Sequence, residues 1–340
     1  VTQVSKVDKK NLPLIRLSAV NPFLIELKRR KVDASVLLRE MSLPVQVPAS
    51  GELFVAATTM YTLVERTAEI AEDPYLGYTI GRALNLEDWE PISRSASEAA
   101  TVGELLSRFV VNALEHSSGS RFFLQTEGEQ STFGFRRAAA SPVLPAQNDA
   151  FYLGLMSRLL MGATAGRWDP ELVLFKVADP TAVPSTDDRL RIAKGDEKGI
   201  RVIFPTRWSF APLPKTLLTA PLRTSDVDAP PSSLLGALHV ALSPHLHEHN
   251  LTVERAASIC GYATRRLSRQ LREQGTTLAR EIASLRARRA QTALLESDRP
   301  IREIAESVGF HDPSVFSRAF KKWTGQSPQK YRQTHRSSIA

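Results

Sequence analysis

Apolar and polar positions follow two different rhythms along this chain, and the change falls close to residue 220. In the first part, helix signals come early. Asn21-Pro22 reads as a helix start, an amide cap followed by a proline whose missing N–H costs nothing in a first turn. Thr101, with Glu104 three residues on, makes a capping box ahead of Leu105, Leu106, Phe109 and Val110. Short alternating or apolar runs at 121–126, 131–137, 171–177 and 199–204 then predict strands, and Gly128-Glu129 predicts a hairpin turn between the first two. Pro212, Pro214, Pro221, Pro230 and Pro231 forbid a continuous helix from 207 to 233. Beyond them the strand signals stop. A helical pattern begins at Leu234, with Pro244 the awkward residue before Leu246, and everything from Leu251 onward reads as helix. The pattern predicts an α+β N-terminal domain over 1–220, predominantly helical with a small sheet and large enough to enclose a small-molecule pocket. A linker at 221–233 and an all-α C-terminal domain over 234–340 follow.

The helical part contains a repeat. Ala257, Gly261 and Tyr262 recur 48 residues later as Ala305, Gly309 and Phe310, and Leu267-Ser268-Arg269-Gln270-Leu271 recurs 49 residues later as Phe316-Ser317-Arg318-Ala319-Phe320. Each copy predicts a short helix, 253–260 or 301–308, a glycine in left-handed position, and a second helix: the elements of a helix-turn-helix, whose second helix enters the major groove of DNA. At about 100° per residue, Arg265, Ser268, Arg269 and Arg272 share one arc of the first recognition helix, opposite Leu267 and Leu271. In the second, Asp312 and Pro313 predict the start, Ser314, Ser317, Arg318 and Lys321 the outward arc, and Phe316, Phe320 and Trp323 the inward one. Aromatics among cations also occur in single-strand binders, but opposition to the charged arc favours core packing. The two units are joined by a predicted helix over 278–297, about 30 Å long against ~34 Å between successive major grooves.

Charge sharpens this picture. Residues 251–340 carry 17 Lys+Arg, 14 of them arginine, against 8 Asp+Glu, whereas 1–250 carry 27 against 28, so the net +8 of the chain resides in its last quarter. Arginine's planar fork suits phosphate oxygens and the acceptor edge of guanine, which makes double-stranded DNA the expected partner and a solvated basic face the plain alternative.

At these residues the chain resembles a known family. Gly309-Phe310, Asp312-x-Ser314-x-Phe316-Ser317-Arg318-Ala319-Phe320-Lys321 and Gly325-Gln326-Ser327-Pro328-x-x-Tyr331-Arg332 look like the signature of the AraC/XylS family of bacterial transcription regulators, over about 90 residues with the weaker upstream copy. The resemblance implies two helix-turn-helix units on one face of promoter DNA. More loosely, the front half resembles the predominantly helical, arabinose-binding type of N-terminal domain, which implies effector binding, dimerisation or both. A homodimer, a small-molecule effector and RNA polymerase are thus candidate partners, and activation or repression stays open. Where the family usually places serine, this chain has Ala263; either Thr264 caps the first recognition helix or its start is weaker by about 1 kcal/mol.

Enzyme classes find little support. Repair methyltransferases and amidotransferase-like proteins with this type of C-terminal domain depend on upstream cysteines, and 1–250 contains none; no Gly-x-Ser-x-Gly elbow, His-Glu-x-x-His or phosphate-binding glycine loop occurs either. The expectation is no catalysis, no cofactor and no metal. His245, His247 and His249 could suggest a metal clip, yet Pro244 and the lack of further ligands favour a solvated helix end. Cys260 reads as a small buried hydrophobe, and Trp89, His116 and Phe151 equally as core or as ligand contacts. One cysteine, no run of eighteen apolar residues and no signal-peptide pattern in 1–13 lead to a cytoplasmic expectation without a membrane span.

Overall fold

The computed structural model describes residues 12–47, 53–86, 89–97, 99–164, 166, 168–185, 190–213 and 229–336. The chain divides into two units, Val1–Ser233 and Leu234–Ala340. Of the stretch read as a linker, 221–228 lies outside the described residues.

The first unit is α+β. β1 (Leu14–Arg16) leads through a 3-10 turn, Leu17–Val20, straight into α1 (Asn21–Arg29), followed by α2 (Ser35–Glu40). Asn21 is therefore already helical and does not cap. Its backbone N–H donates to the Ser18 carbonyl, so the turn supplies the acceptor that a capping side chain would have provided, and Pro22 takes the second helical position. β2 (Phe54–Ala56) pairs antiparallel with β1, Ile15 opposite Val55. α3 (Ala57–Ile70), α4 (Leu76–Ala83), α5 (Glu90–Ser97) and α6 (Val102–His116) follow. At the start of α6, Thr101 Oγ1 accepts from the Glu104 N–H, while the Glu104 carboxylate reaches the Ala100 N–H at 2.8 Å.

β3 (Ser120–Glu127) and β4 (Gln130–Arg137) form the hairpin expected at Gly128, whose φ of 58° is left-handed and easy for glycine. After α7 (Ala146–Thr164) come β5 (Leu174–Val177), β6 (Arg191–Lys194) and β7 (Arg201–Pro205). The sheet runs β3-β4-β7-β5-β6, antiparallel except between β5 and β6. The strand expected over 171–177 begins only at Leu174, because Asp169 caps a 3-10 turn at Pro170–Leu172.

α7 is the central element of this unit. It crosses α4 so closely that a methyl group at Gly77 or Gly81 would collide with the carbonyl oxygens of Gln147 and Phe151. Its first turn is held from outside: the Glu65 carboxylate on α3 accepts from the Gln147 N–H at 2.9 Å, and the Gln147 side chain accepts from the Gly77 N–H at 2.8 Å. Burial raises the Glu65 pKa to about 7, so it is partly ionised at neutral pH, and its ionised form favours the positive end of the helix dipole. In the same first turn, Asp149 forms a fully buried ion pair with Arg137 of β4 and accepts from the Ala178 N–H, which ties helix to sheet.

The second unit is all helical among the described residues. α8 (Leu234–Leu242) stops before Pro244, which lacks an N–H and would clash with the preceding turn, so a 3-10 turn at Ser243–His245 replaces the helix read on to Leu246. α9 (Val253–Ile259), Gly261 at φ 67° and α10 (Thr264–Glu273) form the first helix-turn-helix. α11 (Leu278–Glu296) connects it to α12 (Ile301–Ser307), Gly309 at φ 81° and α13 (Pro313–Thr324), and α14 (Pro328–Arg336) closes the unit. Phe316 and Phe320 of α13 are fully buried against Ala290 and Leu294 of α11 and Ile304 of α12, with Trp323 packed at the edge. Replacing Phe320 by alanine deletes a buried ring, and thermal unfolding should register a loss of about 3 to 5 kcal/mol.

Candidate functional site

The exposed face of each second helix is fixed by what the opposite face buries. On α10, Leu267 and Leu271 are fully buried, which turns Arg265, Arg269 and Arg272 outward and leaves Ser268 half-buried between them. On α13, burial of Phe316 and Phe320 leaves Ser314, Arg318 and Lys321 exposed and Ser317 half-buried. The eight residues singled out in the sequence thus form one polar face on each helix. Two of them carry internal bonds: Ser317 Oγ donates to the Pro313 carbonyl at 2.8 Å, and Arg272 Nε donates to the Ser268 carbonyl at 3.3 Å. Among the described residues, Arg265, Arg269, Arg318 and Lys321 have no carboxylate within ion-pair distance.

The two helices start differently. Asp312 caps α13 through the Ser314 N–H at 2.7 Å, which holds the Asp312 carboxyl below its usual range, with a smaller contribution from the Arg318 charge. Gly325 closes the other end in left-handed conformation at φ 80°. α10 has Ala263 in the cap position and no side-chain hydrogen bond there, so the weaker of the two starts considered for this helix is the one formed.

Most other cations of this unit have structural employment. Arg255 pairs with Glu248, Arg299 with Glu303 and Arg302 with Glu306, and Arg289 donates to the Ser243 carbonyl. Arg286 is the one that sequence reasoning missed. From α11 it donates to the Glu248 carbonyl at 2.7 Å, ahead of the first helix-turn-helix, and its guanidinium lies 5.6 Å from the centre of the Phe310 ring in the second turn. Nothing in its local sequence distinguishes it from Arg288 or Arg289.

The histidines beside Pro244 are occupied otherwise than by a metal or by solvent alone. His245 is buried and bonded to Glu248 at 2.7 Å, His247 bonds the Pro244 carbonyl, and His249 stacks on His311. Among the described residues no group of three potential ligands could hold a metal ion. Cys260 is buried, and burial pushes its thiol up to about 12, far from a reactive thiolate.

The first unit holds a separate feature. Trp89, His116 and Phe151 lie on the wall of one cavity of about 50 Å³, together with Phe23, Phe109, Phe122 and Tyr152. Trp89 meets Phe151 edge-on at 5.1 Å, and Phe109 meets Phe122 edge-on at 4.8 Å. His116, the last residue of α6, is 7% exposed, and its Nδ1 has no hydrogen-bond partner among the described residues. Burial, helped by the positive charges of Arg16 and Arg94, pushes its pKa down to about 4, so the imidazole is neutral at pH 7.

Comparison with known proteins places both units. A model described as the arabinose-binding N-terminal domain of the AraC transcription regulator matches residues 32–189, and a helix-turn-helix domain model matches 256–334. The chain belongs to the AraC family. Within it, the transcriptional activator NphR of Rhodococcus is 30% identical over 114 residues, 34% of either chain. The ornithine utilization regulator of Pseudomonas aeruginosa is 41% identical over 81 residues, 24% of either chain. These matches span about a third or less of each relative's length. Among solved structures, the transcriptional regulator CdpR of Pseudomonas aeruginosa aligns over 93% of this chain and 98% of its own, at 17% identity and a TM-score of 0.37.

Two measurements follow from this geometry. Ala263→Ser supplies the missing cap acceptor for this AraC-family chain, and unfolding of the second unit should become harder by about 0.5 to 2 kcal/mol; an unchanged melt would show that the α10 start needs no side chain. For His116, the unfolded chain binds the proton near pH 6.5 and the folded chain only near 4. Its contribution is therefore whole above pH 6.5 and lost as pH falls toward 4, with a slope of at most about 1.4 kcal/mol per pH unit. Between pH 7 and 5 the parent should lose more thermal stability than His116→Leu.

Proposed function

We propose that this chain is a sequence-specific, double-stranded DNA-binding transcription regulator whose first unit, within 1–220, binds a small-molecule effector, pairs two chains, or does both. The observation that carries the DNA reading is the pair of recognition helices, α10 and α13, each held by a buried apolar face and each presenting a basic polar one. In the proposed roles, Arg265, Arg269, Arg272, Arg318 and Lys321 reach base edges or phosphates, and Ser268, Ser314 and Ser317 make shorter contacts to the backbone or bases. α11, with 19 residues, is about 28 Å long, slightly short of the ~34 Å between major grooves one turn apart, so simultaneous engagement calls for DNA bent toward the protein.

The rival enzymes weighed for this chain work through cysteine, and Cys260 is buried with its thiol pushed up to about 12. The aromatic cavity supports the effector reading, because a concave, mostly apolar wall with a few polar groups, here including the unpartnered His116 Nδ1, suits a small-molecule site. Pairing of two chains would bring four helix-turn-helix units to one operator and raise affinity through effective concentration.

Salt and sequence dependence test the DNA reading on the full chain. Affinity for duplex DNA should fall steeply with salt, each neutralised phosphate releasing about 0.9 counterion. Against a selected site, Arg269→Ala and Arg318→Ala should each lose about 1 to 3 kcal/mol more than against random duplex. Equal losses on both would assign these arginines to phosphate, and affinity indifferent to salt would refute DNA binding by this face.

A further inference from the structure

The cavity of the first unit has a chemistry of its own. Its wall contains no charged side chain, and six of its residues are aromatic. Ser117 Oγ, one of its few polar atoms, already accepts from the Gly119 and Ser120 N–H groups at 3.0 and 3.1 Å. Asn148 is partly committed, its side-chain amide donating to Asp149 and its backbone N–H to Glu65. His116 Nδ1 is buried on the wall without a partner among the described residues, and Tyr152, which carries a hydroxyl, lies on the same wall. An orphaned polar atom in such a place is costly unless a guest satisfies it.

A sugar is a poor match for this wall, since a polyhydroxylated ring would bury several hydroxyls against aromatic faces that offer few polar groups to bond them. A carboxylate would enter an apolar wall that offers it no charged partner. A hydroxyl answers the open position at His116 Nδ1, because it both donates and accepts and so matches whichever tautomer His116 adopts. Resting on the reading of the first unit as an effector domain, we propose that the cavity takes a small, uncharged aromatic molecule carrying one hydroxyl, a phenol or an aryl alcohol, with the hydroxyl bound to His116 Nδ1 and the ring among Trp89, Phe109, Phe122 and Phe151.

The tightness of the cavity gives the guest its effect. At about 50 Å³ it is too small for a ring as it stands, so entry moves the aromatic wall. Phe23 lies on α1, Phe109 on α6, Phe122 on β3 and Phe151 on α7, and the rings touch in series: Phe23 to Phe151 at 5.5 Å and Phe109 to Phe122 at 4.8 Å between centres. A guest that separates these rings shifts four elements together, which is how occupancy becomes a change of shape.

The test uses the full chain with three probes, phenol, toluene and L-arabinose, followed by titration calorimetry and by the emission of Trp89, which lies on the wall. Phenol should bind, toluene at least tenfold more weakly, and arabinose not at all. In His116→Leu, phenol should fall to the level of toluene. The ring nitrogens of His116 in the parent give a second readout that needs no variant, since saturating phenol should shift the Nδ1 resonance. No binding of phenol, equal binding of phenol and toluene, preference for arabinose, a phenol advantage that survives His116→Leu, or an unmoved Nδ1 resonance would each overturn the proposal. Duplex binding by the same preparation separates the two readings: a chain that binds DNA but fails these probes loses only this ligand, and a chain that binds no DNA loses the regulator.

Discussion

A basic helix cannot present a reading face unless its other face is anchored, and burial of Leu267 and Leu271 on α10 and of Phe316 and Phe320 on α13 is the constraint on which this second unit depends. Arginine side chains are long and lose much entropy when ordered, so a helix free to roll about its axis would spread their positions over its whole circumference. Four fully buried side chains remove that freedom. The glycine turns act one step earlier: at Gly261 and Gly309 the left-handed backbone sets the angle at which each second helix meets its core. Cation content alone would give a sticky protein; anchored cations give one that can discriminate.

The first unit solves a different problem with the same means. Helices α6 and α7 pack on its five-stranded sheet, and α7 is fastened through contacts that tolerate little change: glycines of α4 pressed on its backbone, a carboxylate of α3 at its start, and the buried Arg137–Asp149 pair. A buried ion pair adds little net stability compared with a well-packed apolar pair, but removing one partner leaves an unpaired charge in the core, so it fixes register more than it adds strength. Against that rigid frame, the aromatic cluster around the cavity is joined by dispersion and ring-edge contacts without direction as strict as a hydrogen bond. Rigid polar fastening and softer aromatic packing thus sit side by side on α7.

Much of this was legible in the sequence, for identifiable reasons. The repeat carried its own register, so α9 to α13 could be placed from glycine and leucine positions, and family membership followed from the same residues. The hairpin at Gly128 announced itself through alternation on both sides. β1, β2 and β6 did not, because strands of three or four residues are too short to establish a period and β6 carries charge at both ends, Arg191 and Lys194. The helix start at Asn21 was displaced by a preceding 3-10 turn that only backbone geometry reveals. At the candidate sites, local periodicity gave the outward arcs, whereas Arg286 and the convergence of Trp89, His116 and Phe151 depend on contacts between distant segments. No local pattern encodes such contacts.

Arg286 changes how the two helix-turn-helix units should be pictured. It joins the segment leading into the first, through the Glu248 carbonyl, to the turn of the second, through the Phe310 ring, and Gly309 leaves it room, since any side chain there would strike the guanidinium. The readers are therefore members of one bracket with α11 as its spine. One residue inserted into that spine would advance the second reader by about 1.5 Å and rotate it by about 100°, breaking the Arg286 contacts as it did so. On the proposed DNA reading, the distance between the two contacted stretches would then be fixed by α11, and a change of target would come from the side chains on the reading faces.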